Sequence, residues 1–185
     1  GPLDDAHIDA TLKAVEGETV THILVTHTHN DHSPAAAPMK ERTGAPTYAY
    51  GPHGGDRGGP KVEEGGDFSF VPDHEIKDGG IIEGDGWTFE AVHTPGHTSN
   101  HLCFALKEEN ALFSGDHVMG WSTSIVSPPD GDMAQYMASL NKLLDRDDSV
   151  FWPTHGPPIH DTKPFVESFI QHRQRREDQI LECIA

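Results

Sequence analysis

The sequence predicts a layered αβ architecture. Short apolar runs bounded by turn-forming residues alternate with segments whose apolar side chains recur at helical spacing. The length, 185 residues, fits one domain large enough to bury a core without disulfide or metal staples. No apolar run is long enough to span a bilayer, so no membrane partner is expected.

The elements follow in order. Residues 5–15 read as a short helix with Ile8, Leu12 and Val15 on one face, and residues 21–26 (THILVT) as a strand. Ser33 and Pro34 predict the cap and first position of a helix running to about Arg42. Pro38, a turn later, is expected to weaken or kink it. Residues 47–50 read as a strand. Residues 51–66 (GPHGGDRGGPKVEEGG) read as a long surface loop. Residues 81–82 and 87–92 predict a hairpin around Gly84-Asp85-Gly86, and 101–106 with 111–114 a second pair of strands. Residues 132–145 place Met133, Tyr136, Met137, Leu140, Leu143 and Leu144 at helical spacing. A short strand is expected at 150–152. Thr162 caps a last helix with Phe165, Phe169, Ile180 and Leu181 on its apolar side.

Charge narrows the function. Lysine and arginine number 13 against 30 acidic residues, a net charge of −17, which repels nucleic acid and anionic membranes at long range. The two cysteines, Cys103 and Cys183, offer no disulfide framework. With no secretion leader visible, a reducing, cytoplasmic setting is expected. Fourteen histidines are the compositional anomaly, and metal ligation is the first role to test for them.

The densest signal is His27-Thr28-His29-Asn30-Asp31-His32, directly after an apolar strand. In extended chain residues 27, 29 and 31 share a face, and the following turn can bring His32 round. Three imidazoles and a carboxylate exceed what one open tetrahedral metal needs and suit two adjacent metals. His97 (TPGHT), Asp116 (SGD) and His155 (PTHG) each stand where a strand gives way to a loop.

With these residues in this order, the sequence resembles the metallo-β-lactamase superfamily, marked by H-x-H-x-D-H followed by separated His, Asp and His. The resemblance covers residues 19–158. The pieces TPGHTSNH, LFSGDHVMGWST and PTHGPPI resemble the lactamase-like endoribonucleases, within a branch that also holds glyoxalase II-type members. It implies an αββα sandwich: two mixed sheets face to face, helices outside, metals at the sheet edge. It also implies that His27, His29 and His97 hold one zinc and Asp31, His32 and His155 a second, with Asp116 bridging. Iron or manganese are the alternatives to zinc.

On this reading Asp31 and Asp116 are the catalytic carboxylates. Two zinc ions, two carboxylates and a bridging hydroxide leave the cluster a charge of about +1, and the metals bring a water to a pKa of roughly 7. The expected function is hydrolysis of a phosphodiester, RNA-like, or another anionic substrate. The alternatives are a thioester hydrolase of the hydroxyacylglutathione type, or a metal-binding domain with little activity. His117 and Trp121, just after Asp116, are expected to contact a small-molecule or RNA substrate. The opening GPLDD resembles the end of a strand–turn that family members place after several strands. The ending HRQRREDQILECI resembles a linker helix. The chain is therefore expected to be a single domain over 1–185, lacking its first strands, with 162–185 beginning a linker. An uncovered sheet edge of that kind would favour a homo-oligomer.

Overall fold

The computed structural model describes residues 1–54 and 65–184, so most of the loop expected over 51–66 lies outside the described residues. Among the described residues four helices and eight strands form four layers.

Helix α1 (Asp5–Ala14) is capped by Asp4, whose carboxylate accepts from the His7 amide at 2.7 Å. Helix α2 (Ala36–Thr43) starts later than Ser33 predicts. The Ser33 hydroxyl is committed elsewhere, donating to Asp67 Oδ2 at 2.8 Å, and Ala35 takes the cap position with no side-chain bond. Pro38 therefore falls in the first turn, where no intrahelical N–H is required, and the helix continues through it.

Strands β1 (Ile23–Leu24), β2 (Thr47–Ala49) and β3 (His74–Glu75) form a parallel sheet in that order. β1 is shorter than the expected 21–26 because the chain changes sheets. The Val25 amide still bonds Tyr48 O, but Thr26 O accepts from Leu102 N at 2.7 Å. The second sheet runs β4 (Ile81–Gly84), β5 (Trp87–His93), β6 (Leu102–Leu106), β7 (Ala111–Gly115) and β8 (Val150–Pro153). Its pairs are antiparallel except β7 with β8. Helices α3 (Met133–Leu144) and α4 (Thr162–Ile184) complete the chain.

Alternation along the strands assigns each layer. In β6, Leu102 and Phe104 face the first sheet and join Ile76, Ile82 and Ala91, with Leu24 and Tyr48 from across the interface. Cys103 and Ala105 face the other way and join Leu112, Tyr136, Leu140, Leu143, Val166 and Phe169, the core beneath α3 and α4. A third core, Ile23, Val25, Ala36, Ala45, Ala49 and Phe70, packs α2 on the outer face of the first sheet. The result is a helix–sheet–sheet–helix sandwich. The apolar side expected for the last helix holds only in its first half. Val166 and Phe169 are buried, but Ile180 and Leu181 are 58% and 54% exposed because α4 runs on past the core. Among the described residues no helix is long and apolar enough to cross a membrane.

Candidate metal centre

Four strand ends of the sandwich meet at one edge. Residues 27–32 follow β1, residues 94–101 join β5 to β6, Asp116 follows β7, and His155 follows β8. The structure brings together all seven residues singled out as ligands: His27, His29, Asp31, His32, His97, Asp116 and His155. Their side-chain ligand atoms fall into three overlapping groups: His27, His29 and His97; His27, His32 and Asp116; and Asp31, His32 and His155. Within each group every such atom lies within 4.8 Å of the others.

The first group is a cluster of ring nitrogens. His29 Nδ1 lies 3.1 Å from His27 Nε2 and 3.0 Å from His97 Nε2. The His97 tautomer is set by Ile125, whose carbonyl accepts from Nδ1 at 2.6 Å, so Nε2 turns a lone pair inward. Three imidazole nitrogens this close cannot all be satisfied by one another's protons, and a cation among them would take their lone pairs. The second group surrounds His32 Nε2, a buried atom without a hydrogen-bond partner. Asp31 Oδ2 is 3.3 Å from it and Asp116 Oδ2 3.4 Å. His155 Nε2 stands 3.3 Å from the same Asp31 oxygen. Asp116 Oδ2 also reaches His97 at 3.7 Å and His155 at 3.6 Å, so one carboxylate oxygen sits between the two sets. Nitrogen and carboxylate donors of this kind fit divalent transition metals.

Charge and burial pull these groups apart. Burial pushes the His29 imidazole down to about 3, helped by the neighbouring His97 and His32. His27 is likewise pushed well below the usual range by burial first. Burial acts against the His32 cation too, but the Asp116 and Asp31 carboxylates facing it outweigh that cost and raise His32 to about 9. Burial would raise Asp31, yet the facing His32 wins and holds it at about 2. In the same way Asp116 is held well below the carboxylate range, burial being outweighed by His32 and His97.

Positioning comes from residues that neighbour the candidate ligands in sequence or reach them across the fold. Thr154 Oγ1 donates to Asp116 Oδ1, leaving Oδ2 to the cluster. His101, fully buried, accepts the Asp116 amide on Nε2 at 3.1 Å and therefore donates from Nδ1 to Thr94 Oγ1 at 2.8 Å. Gly115, at φ +54°, lets this approach occur, since a Cβ there would lie 2.6 Å from His101 Nε2. Asn100 donates to Thr28 Oγ1 at 2.8 Å, which in turn meets His53 Nδ1 at 2.8 Å. Asp67 takes the Ser33 hydroxyl, and its amide donates to Thr28 O at 2.8 Å. Asp67 is identified only by these long-range contacts, and His101, although it closes the TPGHTSNH segment, shows its role only through its bond to the Asp116 amide.

His117 does not reach the cleft as expected. It is fully buried, with its ring against Tyr136 at 4.8 Å, and burial lowers it to about 3. A residue one step past Asp116 on a tight turn points into the α3 core, so it is no substrate contact. Trp121 is 70% exposed and stacks on His155, centroid to centroid 5.6 Å at 20°. Cys103 offers no nucleophile, because burial pushes its thiol up to about 12.

The chain is similar to known proteins in family, in sequence and in fold. A family model described as the metallo-beta-lactamase superfamily matches residues 2–155. The "Lactamase-like protein adaB" of Aspergillus niger is 34% identical over 189 residues, covering 100% of this chain and 53% of that protein. The "Atrochrysone carboxyl ACP thioesterase AgnL7" of Paecilomyces divaricatus is 36% identical over 180 residues, covering 96% and 50%. The chain thus spans about half the length of these relatives. Among solved structures, TTHA1623 in a di-iron-bound form superposes with a TM-score of 0.66 at 25% identity, covering 89% of this chain and 86% of that one.

Proposed function

Because the chain belongs to the metallo-β-lactamase superfamily, we propose that it is a dinuclear metal hydrolase that cleaves acyl thioesters. The observation that carries the dinuclear reading is Asp116 Oδ2, within 3.4–3.7 Å of nitrogens of both donor sets. His27, His29 and His97 would hold one ion, Asp31, His32 and His155 the other, and Asp116 would touch both. Zinc and iron both suit these donors, and the di-iron relative keeps iron open. When bound, such ions lower the pKa of a water toward neutrality and polarise the carbonyl it attacks.

The residues of the chain do the rest. Thr154 holds one Asp116 oxygen so that the other stays aimed inward. Ile125 fixes the His97 tautomer, and His101 fixes the backbone at Asp116. Asp31 stays ionised at neutral pH, held at about 2 by His32. No side-chain nucleophile is required, in keeping with the buried, protonated Cys103.

Thioesters are favoured over phosphodiesters on two grounds. A chain of net charge −17 repels a polyanion. The AgnL7 relative carries a thioesterase name. The test is a panel on the metal-loaded chain: S-benzoyl-N-acetylcysteamine, bis-p-nitrophenyl phosphate, single-stranded RNA and nitrocefin. Metal-dependent thiol release, abolished by chelation and by Asp116→Asn, is expected. Turnover of the phosphodiesters with none of the thioester would overturn the assignment.

A further inference from the structure

The segment joining β7 to α3 leaves two large apolar side chains in solvent beside the cluster. Trp121 is 70% and Ile125 49% exposed. Each is tied to a different donor set. The indole of Trp121 lies nearly parallel on the His155 ring, and the Gly120 amide donates to His155 O at 2.8 Å. The carbonyl of Ile125 accepts from His97.

This arrangement is built rather than incidental. Gly156, at φ +97°, would place a Cβ 2.9 Å from the Trp121 amide, and Gly120 would place one 2.4 Å from Pro157 O. Two bare glycines thus let the two loops touch and lay the indole over His155. Between the two apolar residues Ser124 donates to the carbonyls of Asp116 and His117, while its own carbonyl accepts from Arg173. The segment is pinned to the cluster from beneath, and its apolar side chains face out.

We propose that Trp121 and Ile125 form the acyl-selecting rim of the centre, a flat apolar platform that favours thioesters of planar, aromatic acyl groups over short aliphatic ones. The proposal rests on the thioester reading above. A rigid exposed indole gives a planar group large contact area at small entropic cost. It gives an acetyl group almost nothing to rest on.

The experiment compares kcat/KM of the metal-loaded chain for S-(2-naphthoyl)- and S-acetyl-N-acetylcysteamine in the natural sequence, Trp121→Ala, Trp121→Phe and Ile125→Ser. Metal content is measured for each. The naphthoyl-to-acetyl ratio is expected to fall about tenfold in Trp121→Ala, mainly through KM, and to recover in part in Trp121→Phe. Ile125→Ser should lower it less. Using the ratio cancels any general loss from a disturbed His155. If both thioesters are turned over and the ratio does not move, the rim is refuted and the hydrolase reading survives. If neither thioester is turned over, the thioester reading fails. Calorimetric titration with 2-naphthoate then decides the rim alone: equal affinity in the natural chain and Trp121→Ala refutes it, and about tenfold weaker binding in the variant upholds it.

Discussion

Gly96→Ala is the sharpest test of how the fold delivers His97. Gly96 adopts φ +140°, a region that only glycine enters readily. A Cβ there would stand 2.3 Å from Tyr136 Cα and 2.4 Å from Tyr136 N. Those atoms belong to the backbone of α3 and cannot swing aside as a side-chain tip would. Two costs add: about 1–3 kcal/mol for the backbone conformation, and about 1–3 kcal/mol for forcing two packed elements apart. The middle of that range, about 4 kcal/mol, is a large part of the roughly 5–15 kcal/mol that holds a domain together. For a chain of this size it corresponds to a Tm about 8–16 °C lower. The control is Gly44→Ala, at φ +76° with nothing within 4 Å of the added carbon. It should lose only the conformational part, about 1–2 kcal/mol. Both variants are melted in metal-free buffer and again with metal. Gly96→Ala should also bind metal more weakly, because the residue after it is His97. A Gly96→Ala variant that melts within 2 °C of Gly44→Ala, with metal affinity intact, would refute the argument that the α3 backbone presses the His97 turn into place.

Three further outcomes are expected. Asp116→Asn should weaken both metals, and His155→Ala only one; calorimetric titration showing loss of the same single ion in both would contradict the shared carboxylate. Chelation should lower Tm by about 5–10 °C for each site that had been held at about one hundred times its Kd, and an unchanged melt would show that the donors carry no tightly bound ion. The metal-free chain should be most stable near pH 6.5. Below that, His29 and His117, both lowered to about 3, resist protonation in the fold, so stability falls as pH drops from 6.5 toward 3. Above it, His32 is raised to about 9, and its contribution is lost as pH rises from 6.5 through 9. Melts that stay flat from pH 5 to 9 would contradict this.

The candidate donors stood out in the sequence because four of them crowd into residues 27–32 and the others stand at strand ends, and the structure brings the seven together. The layers were legible because short, wholly apolar runs such as 102–106, bounded by turn residues, mark strands covered on both faces. What was not legible depends on partners distant in the chain. Ser33 looks like a helix cap until Asp67, far along the chain, takes its hydroxyl. β3 is two exposed residues at a sheet edge, too short for any pattern. His117 sits beside Asp116 in sequence yet packs its ring against Tyr136 of α3, because both residues lie in the turn after β7, where strand alternation no longer says where a side chain goes. Ile180 and Leu181 satisfy helical spacing, but spacing says nothing about where the neighbouring core ends.

Strand β6 has no outside. Its residues alternate between the core shared by the two sheets and the core beneath α3 and α4. A single inserted or deleted residue within it would exchange the contents of both at once, sending Phe104 toward the helices and Cys103 between the sheets. It would also move His101 and the His97 turn by one step relative to Asp116. Changes of chain length here cost the cluster least at the turn 107–110, at the far end from it, where Asn110 already adopts φ +49° and the bonds at stake tie the turn only to Thr88, Asp147 and Ser149. Homologous chains should vary in length at that turn and keep the spacing from β5 through β6 unbroken. The same rule tells an engineer where a tag or reporter can be spliced without disturbing the centre.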